Sequence, residues 1–221
     1  MIHVNRLPTL VRQHIAAFRA LLVFTVLCGI IYPVIMVGVA QLAFKNQANG
    51  SLVTYNGKVV GSSLLCQEFA DAKGNPLPQY FQPRPSNAAN PESKTDYGCD
   101  PNYSGAANLG PNNPTLLKTV QQLQQQIAAF DHVKVSQIPP DAVTSSGSGL
   151  DPDISPQYAD IQVNRVAAAR QLPVPEVQAL VSKYTQSRVI GFLGEPRVDV
   201  LNLNIALDEL PGQAKYAQAR A

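Results

Sequence analysis

The sequence predicts an α+β protein: one N-terminal transmembrane helix, then a single mixed α/β soluble domain with a small sheet and about three helices. Three observations predict it. The 25 residues from 20 to 44 carry no charge. An Asn-Gly pair at 56–57 separates two short β-prone runs. After residue 113, apolar residues recur at helical spacing in successive segments.

The anchor comes first. Charged residues make up only 14% of the 221-residue chain, against roughly 25% in a typical soluble domain. The deficit sits at 20–44, ALLVFTVLCGIIYPVIMVGVAQLAF. A spanning helix needs about 20 mostly apolar residues. Pro33 predicts a kink that neighbouring helices can accommodate, and Gly29 and Gly38 allow a second helix to approach closely. These three residues are therefore the candidates for packing within the membrane. A cleaved signal peptide is the alternative, since Gly38-Val39-Ala40 resembles a cleavage site. Signal h-regions run about 7–15 residues, however, and this run exceeds that. Arg6, Arg12 and Arg19, with His3 and His14, precede the span, whereas Lys45 and Lys58 follow it. That bias predicts a cytoplasmic N-terminus at 1–19 and a periplasmic domain at 45–221.

Without Arg6, Arg12, Arg19 and Lys45, the 17 basic residues fall to 13 against 15 acidic ones, so the domain carries about −2. A domain with no basic excess gives no electrostatic reason to bind nucleic acid. His132 is its one histidine and it has no Cys-x-x-Cys, so no metal site is predicted. Cys28 lies in the span. Cys66 and Cys99 either form a disulfide or stay as two thiols; a bridge would close a loop of about 33 residues.

Within the domain, Leu52–Tyr55 and Lys58–Val60 flank Asn56-Gly57, the pattern of a type I′ hairpin. Residues 71–114 are rich in Pro, Asn and Gly, and a loop of that length is either disordered or functional. Its aromatics, Tyr80, Phe81, Tyr97 and Tyr103, argue that it packs onto something. Asn113-Pro114 opens a first helix, Ser155-Pro156 a second running to about Leu172, and Pro175-Glu176 a third. The first carries a glutamine face, Gln121, Gln122, Gln124 and Gln125, read as solvated. Gln162 and Arg165 are read as a polar face of the second. Val198–Leu207 alternates at period two and is read as a strand, although its length also permits a short helix.

Three features bear on chemistry. Residues 141–156, with Thr144-Ser145-Ser146-Gly147-Ser148-Gly149 at their centre, lead into a helix start and could bind an anion or phosphate. They could equally form a tight connection whose hydroxyls satisfy their own backbone. Arg84, between Pro83 and Pro85, is held on a stiff backbone and could grip a carboxylate. No catalytic set is predicted: Ser148 lacks a G-x-S-x-G elbow, and Asp151 and Asp153 beside Pro152 read as turn chemistry.

The chain resembles the C subunits of bacterial Kdp potassium-transporting ATPases, the KdpC family. The resemblance rests on QANGSL at 47–52, GSSLLCQEF at 61–69, YFQPRPS at 80–86, YSGAANLGPNNP at 103–114, PPDAVTSSGSGLDPDISP at 139–156, QVNRVAAAR at 162–170 and LGEPRVDVLNLNIALD at 193–208. The family carries glycine where Cys66 stands, so a Cys66–Cys99 bridge would be peculiar to this chain. The resemblance implies a non-catalytic accessory subunit of a potassium importer. It would assemble a channel-like potassium-binding subunit with a P-type ATPase subunit, beside a small single-span subunit in the lipid bilayer. ATP, magnesium and potassium would be used by the complex, with no cofactor held by this chain. The family's suggested effect on ATP affinity falls on Thr144–Gly149. Tyr80, Phe81, Arg84, Ser86, Ser104 and Asn108 are the candidates for docking the channel-like subunit. An anchored extracytoplasmic hydrolase using Ser148, or a solute-binding module using the 80–114 loop, would lack a stoichiometric multi-span partner.

Overall fold

The computed structural model describes residues 8–93 and 97–220; His3 and Arg6 lie outside the described residues. The chain divides after Ser51 into two units. The first is helical. Helix α1 (Thr9–Val26) passes through a π-helical turn, Leu27–Ile31, into α2 (Tyr32–Ala43), and a single turn, α3 (Lys45–Ala48), follows. The continuous 35-residue run has a mean hydropathy of 2.6 in its most apolar stretch, and none of that stretch is buried within the protein. It begins well before Ala20. At about 1.5 Å per residue it would reach roughly 50 Å, longer than the ~30 Å hydrocarbon core. Arg12 and Arg19 can therefore stand at the headgroup level.

The π turn is the local answer to Pro33. Proline has no N–H and its ring clashes with the carbonyl four residues back. One turn earlier the ladder widens, and the Tyr32 N–H bonds to the Leu27 carbonyl. The expected defect is thus a π-bulge, one of the recognised causes of a helix kink. Gly29 and Gly38 both face open space.

The second unit opens with the hairpin. Strand β1 (Leu52–Tyr55) pairs antiparallel with β2 (Lys58–Ser62), with a register shift between Val53 and Thr54. Asn56 and Gly57 take φ of 50° and 76°, as a type I′ turn requires. Helix α4 (Pro114–Asp131) starts on the Asn113 side chain, which accepts a 2.8 Å bond from the Thr115 N–H. Gln121, Gln122 and Gln125 are exposed. Helix α5 (Pro156–Arg170) starts on Ser155, whose hydroxyl accepts from the Tyr158 N–H at 3.0 Å. Helix α6 spans Val174–Tyr184. The second sheet has the antiparallel order β3 (Asp153–Ile154), β5 (Arg197–Asp199), β4 (Thr185–Gln186).

The structure corrects the reading of 198–207 as a strand. Only Arg197–Asp199 is extended, and α7 (Val200–Asp208) follows at once. Asp199 caps that helix by accepting from the Asn202 N–H at 2.9 Å. Asn202 is half-buried, but its neighbours Leu201, Leu203, Asn204 and Ile205 are buried, so the helix is packed almost all round. A helix buried in this way loses its 3.6-residue signature, and the Leu-x-Leu-x-Ile run mimics strand alternation.

Helix α5 is the axis of the core. Ala159, Val163, Val166 and Ala167 share one buried hydrophobic cluster with Val177 and Val181 of α6 and Leu203 and Leu207 of α7. Gln162, Arg165 and Arg170 are buried there too. Gln162 and Arg165 do form a polar face, but it is buried and not a solvent-facing one. They serve the long loop instead, which has no regular strand or helix between Ser62 and Pro114 among the described residues. Buried backbone needs partners, and at 78–82 side chains supply them. Asn204 accepts from the Phe81 N–H and donates to its carbonyl, both at 2.9 Å. Gln162 does the same for Gln82, at 2.7 and 3.3 Å. Arg165 donates to the carbonyls of Pro78 and Tyr80, and Arg170 to that of Gln79. Two amides thus imitate a neighbouring strand.

Candidate functional site

The segment so clamped carries the docking candidates, and it runs into the Ser/Gly turn. Tyr80 and Phe81 have no exposed surface. Tyr80 stacks on Phe69 with ring centroids 5.1 Å apart and donates its hydroxyl to the Tyr216 carbonyl at 2.7 Å. Neither ring can form a docking face. Their burial follows from the side-chain partners of the 78–82 backbone, which lie far away in sequence.

Arg84 also turns inward. Its Nη1 donates to Asp151 Oδ2 at 2.9 Å and its Nη2 to the Thr144 carbonyl at 3.2 Å. The stiff presentation expected from Pro83 and Pro85 is there, but the carboxylate it meets belongs to this chain. Ser86 ties the same two segments. Its hydroxyl donates to the Gly149 carbonyl at 2.6 Å and accepts from the N–H groups of Ala88 and Cys99. Ser104 donates to the Ser148 carbonyl at 3.0 Å, beside the Gly105 N–H at 2.8 Å. The carbonyls of Thr144, Ser148 and Gly149 are thus accepting bonds from the 84–105 segment. Ser148 Oγ accepts from the Leu150 N–H, and Thr144 Oγ1 donates to the Pro140 carbonyl.

Gly149 shows why the turn has its composition. It sits at φ +72°, and a Cβ there would lie 2.5 Å from the Gly105 carbonyl oxygen and 3.0 Å from Ala88. Only glycine fits both constraints. Gly147 is different: it is exposed, with nothing within 4 Å of a built Cβ. It stands at the rim of a cavity of about 510 Å³ shared with Thr144, Ser145, Ser146, Asn108 and Leu116. Asn108, at φ 49°, also lines this cavity and is exposed. Of the six docking candidates, only Ser104 and Asn108 are exposed.

Cys66 and Cys99 are bonded, S–S 2.01 Å, across a sequence separation of 33. The bridge lies beside the turn: the Cys66 N–H donates to the Leu150 carbonyl at 3.0 Å. Beyond the turn, Asp153 pairs with Arg197 Nε at 2.9 Å. Burial pushes the Asp153 carboxyl up to about 6 despite Arg197, with Asp199 and Asp151 adding repulsion. Burial likewise raises Asp131, although Arg165 Nε stands 2.6 Å from it and favours its charged form. Gln162, Arg165, Arg170 and Asn204 were missed as organisers of this region. The available signal was two arginines and a glutamine spaced along an otherwise Ala/Val-rich helix.

These features define a class: an α+β domain following an apolar N-terminal helix of membrane-spanning length, its long loop sewn onto a Ser/Gly turn. Residues 14–209 match the family model described as KdpC, the K+-transporting ATPase c chain. A Streptomyces avermitilis protein named potassium-transporting ATPase KdpC subunit is 49% identical over 207 residues, covering 88% of this chain and 92% of that one. Proteins of the same name from Beijerinckia indica and Methylococcus capsulatus are 47% and 45% identical over 197 and 194 residues. They cover 89% and 88% of this chain and 93% and 96% of their own lengths. The chain belongs to the KdpC family of K+-transporting ATPase subunits.

Proposed function

We propose that this chain is a non-catalytic accessory subunit of an ATP-driven potassium importer, joining a channel-like potassium-binding subunit to a P-type ATPase subunit. The family match across residues 14–209, apolar helix and domain together, carries this reading. The domain stands in the periplasm. Two features support that side: the arginines before the span, and the Cys66–Cys99 disulfide, which persists in oxidising compartments and is rare in the cytosol. Docking uses the exposed residues Ser104 and Asn108. Arg84 and Ser86 hold the adjoining Ser/Gly turn in place, and Tyr80 and Phe81 lie in the core. Purification in mild detergent tests the assembly role, since stoichiometric recovery of a multi-span partner is expected. Recovery of this chain alone would sink it. Gln122→Cys, exposed on α4, reports the side: an impermeant thiol reagent should label it in whole cells, and labelling only after lysis would reverse the orientation.

A second reading has one observation in its favour. The cavity at Thr144–Gly147 opens beside Gly147, where a ligand could approach the backbone. On that reading the turn contacts nucleotide and raises the ATP affinity of the ATPase subunit. A periplasmic domain cannot reach cytoplasmic ATP, so the labelling experiment decides between the two mechanisms.

A further inference from the structure

Residues 188–195, Arg-Val-Ile-Gly-Phe-Leu-Gly-Glu, project between β4 and β5 as a narrow hairpin. Val189 and Leu193 close it with two backbone bonds of 2.9 Å, and the Gly191 N–H donates to the Arg188 carbonyl at 3.2 Å. Gly191 and Gly194 face open space. Four large apolar side chains stand bare: Ile190 is 79% exposed, Phe192 74%, Leu193 58% and Val189 52%. One exposed apolar residue needs no explanation, but a contiguous group at a loop tip does.

A second observation is independent of exposure. Ile190 holds φ at 55°. A β-branched residue is strained in that region, where Gly or Asn sits at ease. Turn chemistry and exposure thus both count against isoleucine, so the benefit of this side chain lies outside the folded domain.

The surroundings indicate what covers the tip. Residues 189–194 carry no charge, and at the base Arg188 pairs with Glu195 at 2.6 Å, both exposed. An apolar tip with a single exposed, net-neutral ion pair at its base matches the layering of a bilayer, hydrocarbon beneath headgroups. A convex tip needs no preformed pocket to enter a fluid. The chain also carries its own apolar helix of membrane-spanning length, covalently joined to the domain; a tether turns weak surface contact into a local, high-concentration event.

We propose that the 189–193 tip is a second membrane contact, entering the headgroup–acyl boundary of the bilayer that the anchor spans. The inference depends on the anchor and not on which side the domain occupies. The chain has no tryptophan, so Phe192→Trp installs a single reporter in the full-length protein. In vesicles of phosphatidylcholine and phosphatidylglycerol, its emission should be blue-shifted and should lose intensity when the lipids carry brominated acyl chains. Gln122→Trp on α4 should be unaffected. Ile190→Asp in the Phe192→Trp background should reduce the quenching without lowering the melting temperature. Water-like, unquenched emission overturns the proposal, as does undiminished quenching after Ile190→Asp. A blue shift seen only when the other complex subunits are added, without bromolipid quenching, also overturns it and assigns the tip to a protein partner.

Discussion

Arg84 Nη1 lies 2.9 Å from Asp151 Oδ2, joining the loop that follows Phe81 to the end of the Ser/Gly turn across 67 residues of sequence. The pair is partly shielded, with 23% and 31% of the two side chains exposed. The same guanidinium bonds the Thr144 carbonyl. One side chain therefore fixes both ends of the turn.

Arg84→Ala should destabilise the folded chain by about 1.5–3 kcal/mol, the range for hydrogen bonds to charged groups. Thermal unfolding of the purified full-length protein checks this. An unchanged melting temperature would release Arg84 for a role at a partner's surface.

Gly149 and Gly147 should respond oppositely. Gly149→Val meets the Gly105 carbonyl and an unfavourable φ, so folding should be impaired. Gly147→Gln should leave the melting temperature unchanged while testing the cavity rim. If it also leaves complex recovery and ATP affinity unchanged, the rim serves neither docking nor nucleotide.

The Arg165–Asp131 pair is almost wholly buried, with 4% and 2% of the side chains exposed. Removing one partner strands a buried charge. Arg165→Ala should cost about 3–5 kcal/mol, more than Arg84→Ala, because the carbonyls of Pro78 and Tyr80 lose their donor as well. Urea unfolding midpoints of the two variants give the comparison. A smaller loss for Arg165→Ala would show that water can replace the guanidinium.

Replacing Cys66 and Cys99 by Ala removes a cross-link over 33 residues, worth roughly 3–4 kcal/mol in the chain-entropy model. The wild-type chain isolated under non-reducing conditions should carry no free thiol except Cys28. Two further reactive thiols would contradict both the bridge and the oxidising compartment.

Asp153 gives a pH signature. Burial pushes its folded carboxyl up to about 6, above the ~3.9 of an unfolded aspartate. Between those values the folded state holds a proton that the unfolded state releases, so this group's contribution to stability falls as pH rises from about 4 to 6. Asp153→Asn keeps the shape and removes the titration. Its melting temperature relative to wild type should therefore rise across that window and flatten above it. A pH-independent difference would show that Arg197 holds Asp153 ionised throughout.

Local chemistry settled a good part of the fold from sequence alone. Asn56-Gly57, Asn113-Pro114 and Ser155-Pro156 act through their own backbone, so the hairpin and two helix starts could be read directly. The uncharged run at 20–44 marked the apolar helix by the same local logic, and several short motifs together indicated the family. Tertiary structure decided the rest. Tyr80 and Phe81 were legible as packing residues, but they also read as docking candidates because the side chains that clamp the 79–82 backbone, Gln162, Arg165, Arg170 and Asn204, lie some 80 to 123 residues away. Arg84 looked free because Asp151 lies 67 residues away. Residues 198–207 read as a strand because burial nearly all round erases the period of the helix that begins at Val200. Each miss has the same physical cause: a polar or apolar side chain shows its type in the sequence, but its partner is chosen only when the core closes.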